Sequence, residues 1–223
     1  MTRFATALLC GVAALAFASV THAADLIIEE PEAGVVEIAA GDWDGAYVGV
    51  FAGGAWGTYE DNGPIGGEED ISGWLIGLAA GANFTVTDGI VVGVVADAAW
   101  SDAGFEYSDP IQEYNFSIDW QASLRGKLGF DGGSFLPYLT AGLAVAGTSV
   151  DFAGIFVPAF EDSQVHVGWT VGAGVEFAVT DNVSVDLLYR YSDYGTQTYN
   201  ETLPDYEASF STHTASVGLN WSF

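Results

Sequence analysis

Positive charge is what this sequence most lacks. Its 223 residues hold four Lys and Arg against 30 Asp and Glu, a formal net charge of −26 at pH 7. Nucleic acid is excluded as a partner on that ground, because its binding depends on Lys and Arg contacts to phosphate. Cysteine is nearly absent as well. Cys10 is the only one, and it lies in a stretch expected to be lost on export. A mature chain without thiols excludes disulfides, thiol catalysis and cysteine-held metal, and it suits an exported protein. Also missing, after the first 20 residues, is any apolar run long enough for a membrane-spanning helix. Yet 50% of the residues are hydrophobic and Gly numbers 29. The apolar content must be distributed in some other way.

The N-terminus reads as an address. Arg3 precedes an apolar run over 8–20, and Thr21, His22 and Ala23 supply a cleavage site. Residues 1–23 are expected to be a secretory signal peptide, excluded from the fold. Residues 24–42 are acidic, carry Pro31, and read as a flexible lead-in. The folded domain is expected to span 43–223.

From Trp43 onward one plan repeats. Segments 43–58, 71–86, 90–101, 115–130, 135–150, 164–179, 183–194 and 209–223 alternate apolar and polar residues, the pattern of strands with two different faces. Connections at 87–89, 131–134 and 180–182 are short, while those near 59–70, 102–114, 151–163 and 195–208 are long. The parities agree with hairpin pairing. Phe84 and Val86 match Ile90 and Val92 across a three-residue turn, and Phe177 and Val179 match Val183 and Val185 across another. The shift of parity between the fourth and fifth segments needs an even turn, and Asp131 to Ser134 supplies one. Gly89 and Asn182 end the three-residue turns, where a left-handed conformation is needed.

The polar face is rich in small residues: Gly49, Gly53, Gly57, Gly73, Gly77, Gly81, Gly168, Gly172 and Gly174. The apolar face carries Trp56, Trp74, Trp100, Trp120, Trp169 and Trp221, several near strand ends, as interfacial aromatics would be. A soluble barrel with the apolar face inward would leave the glycine-rich face in water. The expected architecture is therefore all-β: an eight-stranded antiparallel transmembrane β-barrel with short periplasmic turns and long extracellular loops.

Several motifs carry a family resemblance. WDGAYVG at 43–49, SLRGKLGF at 123–130, PYLTAGLA at 137–144, VGWTVGAGVEFAVTDN at 167–182 and LLYRYSDYG at 187–195 resemble the alphaproteobacterial small outer-membrane β-barrel proteins, the porin-family major surface antigens. The resemblance covers the barrel and not the loops. It implies a cell outer-membrane location and a structural or porin-like role. It also implies links to envelope integrity and, in some relatives, haem binding at the surface. The terminal Phe223, at the end of an alternating strand, resembles the signal read by the barrel-assembly machinery.

Charge placement is the sharpest internal signal. Arg3 aside, the basic residues are Arg125, Lys127 and Arg190. By alternation they face the lumen, and so do Asp97, Asp119, Glu176 and Asp186. Buried charges need partners. Distances from the turns suggest a lower layer with Arg125 and Lys127 against Glu176 and Asp186, and an upper pair of Arg190 with Asp97. Such a network is either a narrow ion path or a polar plug; eight strands leave little more than side-chain room, which favours the plug.

Charged residues in the loop segments are all acidic. Carboxylates suit hard divalent cations, and Glu68, Glu69 and Asp70 are the candidate ligands. Their spacing is not that of a calcium loop, so a solvated acidic surface is the simpler reading. No firm metal site, cofactor or catalytic residue is expected. Ser211 and His213 share one face, but no acid accompanies them, and His166 reads as structural. Expected partners are outer-membrane lipid and lipopolysaccharide, the barrel-assembly machinery and divalent cations. The function expected is that of a non-enzymatic envelope protein, with a narrow porin or a surface binder of haem or a host molecule as alternatives.

Overall fold

A computed structural model describes residues 42–61, 67–108, 112–154, 160–199 and 206–223. The expected signal peptide (1–23) and all but the last residue of the acidic lead-in (24–42) lie outside them. Eight strands form one closed antiparallel barrel: β1 (Gly45–Asp61), β2 (Glu68–Thr87), β3 (Ile90–Ser108), β4 (Gln112–Phe130), β5 (Phe135–Gly154), β6 (Phe160–Ala178), β7 (Val183–Tyr199) and β8 (Tyr206–Ser222). Each strand pairs with its sequence neighbour. Closure comes from β1 against β8, running from Tyr47↔Ser222 to Asp61↔Ala208. Every strand therefore has two partners and no edge is left open, which is what a sheet in hydrocarbon requires.

At the short-turn end the strand boundaries follow the alternation closely. Asp88 and Gly89 form the first turn, with Gly89 at φ 80°. The three-residue turn read at 87–89 is here two residues, and a register shift between Thr85 and Thr87 restores the parity. The other described turns are 131–134 and 179–182.

At the opposite end the strands outrun the expectation. They continue through much of what reads as long loop, including 102–108, 112–114, 151–154 and 195–199. The strands are 17 to 20 residues long, whereas about 9–11 suffice to cross a bilayer. The extra length stands beyond the apolar band. Register shifts mark the boundary: between Trp100 and Ala103 on β3, Ile118 and Trp120 on β4, and Asp193 and Thr196 on β7.

On β4 this shift overturns part of the sequence reading. Phe116 and Ile118 continue the parity of Trp120, Leu124 and Leu128, and were expected outside with them. They are instead buried inside at 2% and 0% exposure, whereas Leu124 is 59% exposed. Asp119 is the extra residue of the bulge, which turns the strand over.

The glycines of the inner face make room for rings. Tyr47 pairs with Gly81, Phe51 with Gly77 and Tyr138 with Gly174. A Cβ added at any of these glycines would stand 2.5 Å from the opposing ring or its hydroxyl. These three aromatics each pack over the glycine directly across from them, a cross-strand pairing that fills a narrow barrel without splaying it.

Candidate functional site

The interior of the barrel is the candidate site, and it is built in layers. At the short-turn end sits Trp43, just ahead of β1. It is buried against Val91, Leu136 and Ala178 of β3, β5 and β6, and its Nε1 donates to the Gly133 carbonyl at 3.2 Å. Asp44 fixes the approach by accepting from the Thr85 N–H at 2.5 Å and the Thr85 hydroxyl at 2.8 Å. Gly45 then turns at φ 115°, where a Cβ would come within 2.9 Å of the Phe223 carbonyl. The sequence reading starts a strand at Trp43. The structure makes that residue a cork across the barrel mouth.

Above the cork lies the ionic layer. Asp97 on β3 receives Arg125 of β4 at 2.6 Å on Oδ2 and Arg190 of β7 at 2.9 Å on Oδ1. The Ser123 hydroxyl donates to Asp97 and accepts from Arg125 Nε at 2.8 Å. Lys127 reaches Glu176 on β6 at 2.7 Å. Glu176 also accepts from Ser184 at 2.5 Å and from Asn220 at 2.9 Å. Asp186 accepts from the Tyr138 hydroxyl at 2.6 Å. Lys127 Nζ stands 4.4 Å from the Tyr138 ring centroid and 5.5 Å from that of Tyr47, cation–π contacts that hold the ammonium in place. Asp97, Glu176 and Asp186 balance Arg125, Lys127 and Arg190, so this layer is neutral.

Three sequence expectations change here. Arg125 does not join the lower group. It shares Asp97 with Arg190, because strand tilt makes distance from the turn a poor guide to height. Asp119 is not a lumen residue. It is exposed on the outside of the β4 bulge, accepting from Ser117 at 3.0 Å and Ser149 at 2.5 Å. Asp186 has the Tyr138 hydroxyl where a cation was expected, with Lys127 acting through the same ring.

The layer nearest the loop end is apolar. Ala55, Ile71, Leu75, Ala99, Ala103, Phe116, Ile118, Ala144, Ala146, Tyr194 and Phe210 form a buried cluster. Ring centroids lie 4.5 Å apart for Tyr194 and Phe210, and 5.0 Å for Tyr59 and Phe116. His166 is buried with its ring edge-on to Phe210 at 4.9 Å. Between cork and apolar layer there remains a cavity of about 40 Å³, lined by Asp97, Arg125, Lys127, Tyr138, Asp186 and Arg190 among others. That is room for no more than a few water molecules.

Outside, the apolar band is continuous. Trp56, Trp74, Trp100, Trp120, Trp169 and Trp221 are all on the outer face, from 39% exposed at Trp120 to 64% at Trp100. Trp221 lies beside the short turns, paired with Val183, and the other five lie toward the loop end. Trp74 Nε1 donates to Asp102 at 3.0 Å, tying one belt ring to the polar rim above it. Phe223 closes the chain, its N–H donating to the Ala46 carbonyl at 3.0 Å. Glu68, Glu69 and Asp70 are exposed at the start of β2, with Glu68 directly opposite Glu60. Among the described residues, no three His, Cys, Asp or Glu side chains converge in a way that could hold a metal. His213 Nδ1 shares a hydrogen bond with the Tyr189 hydroxyl at 2.7 Å, so that nitrogen is committed to Tyr189 rather than to Ser211.

Comparison with known proteins follows the same lines. The chain is 32% identical over 225 residues to the 25 kDa outer-membrane immunogenic protein of Brucella abortus biovar 1 (strain 9-941), covering 100% of both chains. It is 34% identical over 184 residues to a 22 kDa outer membrane protein of Rhizobium leguminosarum bv. viciae, covering 82% of this chain and 80% of that one. Among solved structures it is similar to Neisserial surface protein A, with 23% identity, a TM-score of 0.49, and coverage of 80% of this chain and 97% of the other. The outer membrane protein beta-barrel domain model matches residues 10–223. The closed barrel with its apolar exterior, the Brucella relative matched end to end and the domain match agree: this is a protein of the cell outer membrane, and it belongs to the outer membrane protein beta-barrel domain family.

Proposed function

We propose that this protein is a non-enzymatic, non-conducting barrel that contributes to the structure of the outer membrane. The observation that carries this reading is the filling of the lumen: an apolar plug, a neutral ion-paired layer and the Trp43 cork stacked along one axis, with a cavity of only about 40 Å³. A pore needs a continuous hydrated path. Here an ion would have to part both a buried salt-bridge layer and a packed aromatic layer, each costly to disrupt. His213 Nδ1 is committed to Tyr189, and Asp193, directly across from Ser211, accepts from the Gly195 N–H at 2.8 Å, an arrangement that supports a non-enzymatic role.

The same reading takes residues 1–23 as a cleaved export signal and Phe223 as the mark read by the assembly machinery. It takes the acidic rim, Glu68, Glu69 and Asp70 included, as a solvated surface that divalent cations can bridge to lipopolysaccharide. Single-channel recording on the refolded full chain tests it. Silence is expected across the usual voltage range, and a stable conductance would establish the narrow pore instead. Haem titration tests the surface-binding alternative, which predicts a saturable absorbance change. His166, buried against Phe210, gives that alternative little support.

A further inference from the structure

On the outer face of β6, β7, β8 and β1, at the loop-side border of the apolar band, five rings touch in sequence. In the pairing register His213 stands between Tyr191 and Trp56. Its centroid lies 5.9 Å from Trp56, nearly parallel at 13°, and 5.0 Å from Tyr191. Tyr189 lies 6.0 Å from His213 and 6.2 Å from Trp56. Trp169 meets Tyr191 at 5.5 Å. The Tyr189 hydroxyl and His213 Nδ1 are joined at 2.7 Å, which fixes both rings and leaves Nε2 of the imidazole unengaged by that bond. Among the described residues, the other loop-side belt tryptophans, Trp74, Trp100 and Trp120, take part in no such cluster of rings.

Beside this shelf the surface drops. Gly54 pairs with Ala215, and Ala173 with Tyr189. A Cβ placed on Gly54 would meet nothing closer than 3.9 Å, so the glycine opens a shallow slot next to Trp56. A shelf of partly exposed rings at the headgroup border, above a slot facing hydrocarbon, is shaped for an amphiphile. Its chemistry selects among amphiphiles. The C–H face of a sugar stacks on electron-rich ring faces, and an imidazole N–H and a phenol hydrogen-bond to sugar hydroxyl and amide groups. A small-residue slot lets an acyl chain approach the backbone closely. Phosphate, by contrast, finds no fixed cation outside, because Arg125, Lys127 and Arg190 are all buried in the lumen.

We propose that this patch binds the glucosamine disaccharide of lipopolysaccharide through its sugar face, with one acyl chain lying along the Gly54–Ala215 slot. The proposal rests on the outer-membrane location and not on the sealed lumen, so a conductance result leaves it untouched. It is tested on the refolded full chain by native mass spectrometry, titrating diphosphorylated lipid A, monophosphorylated lipid A and phosphatidylglycerol. Both lipid A forms are expected to bind alike, and phosphatidylglycerol at least about tenfold more weakly. Trp56→Leu and His213→Ala should each weaken both lipid A forms by about fivefold or more, the loss typical of a central aromatic anchor. Gly54→Leu should weaken them by filling the slot, Tyr189→Phe by a smaller factor, and Trp100→Leu across the barrel not at all. Unboiled gel mobility checks that each variant is folded; the mild Tyr189→Phe and Gly54→Leu changes carry the test if Trp56→Leu does not refold. Equal binding of phosphatidylglycerol, loss of binding on removal of one phosphate, or unchanged binding by the folded shelf variants would each overturn the proposal.

Discussion

The two ends of this barrel obey opposite rules. Toward the short turns, which are periplasmic in this class of barrel, the inside is polar and the outside apolar. Arg125, Lys127 and Glu176 are buried, while Leu124, Leu128 and Leu139 are 54% to 62% exposed. Past the register shifts the arrangement inverts. Phe116, Ile118 and Phe210 fill the interior, and Asp102, Asp119 and Asp151 are exposed outside. The same eight strands run through both regions, so backbone geometry does not impose the difference. The medium outside does: hydrocarbon around the first region, headgroups and water around the second. Above the membrane the protein is organised like a soluble barrel, with an ordinary hydrophobic core.

This contrast can be broken at definite places. The largest effect is expected at Asp97, whose loss strands two guanidinium groups. Asp97→Asn should cost roughly 3–5 kcal/mol, since breaking a buried ion pair leaves an uncompensated charge, read as a lower denaturant midpoint in refolded protein. Asp119→Asn, on the outer face of the upper region, should stay within about 0.5 kcal/mol. Equal effects would erase the distinction between the two carboxylates. Phe116→Ala comes next, at about 3 kcal/mol for a buried phenyl group. Phe130→Ala, on the lipid face, should cost clearly less by the same measurement. Charge exchange sharpens the picture of the ionic layer. Arg190→Glu combined with Asp97→Arg should fail to restore stability, because the new arginine would face Arg125; full recovery would show that Arg125 has another partner. A smaller loss than at Phe116 is expected for Trp43→Ala, about 1–2 kcal/mol for a large ring buried at a margin, with faster hydrogen exchange at the amides of turn 131–134.

The fold was legible because the lower region is strictly periodic and its turns carry their own chemistry. The upper region was not, for a physical reason visible on β4. An inverted pattern joined to the lower one through a single extra residue gives an unbroken alternation. Phe116, Ile118 and Trp120 read as one face, although the first two point inward and the third outward. Two errors of opposite sign cancel in the sequence, and only the pairing register reveals the bulge at Asp119. In the ionic layer, the residue types and their inward parity could be read. The choice of partner could not, since it depends on strand tilt and on Ser123, Ser184, Asn220 and Tyr138, residues too common to attract notice. Trp43 was recognised as part of a motif, but nothing in its spacing announces a side chain that leaves its own strand and crosses the barrel mouth.

That crossing has a consequence for assembly order. Trp43 precedes every strand in the chain, yet it rests on β3, β5 and β6 and bonds to the turn between β4 and β5. None of those surfaces exists until most of the barrel has been laid down. The first side chain of the domain to be threaded out is therefore among the last to reach its place. Its indole must wait undocked at the inner side of the membrane until the wall behind it is complete.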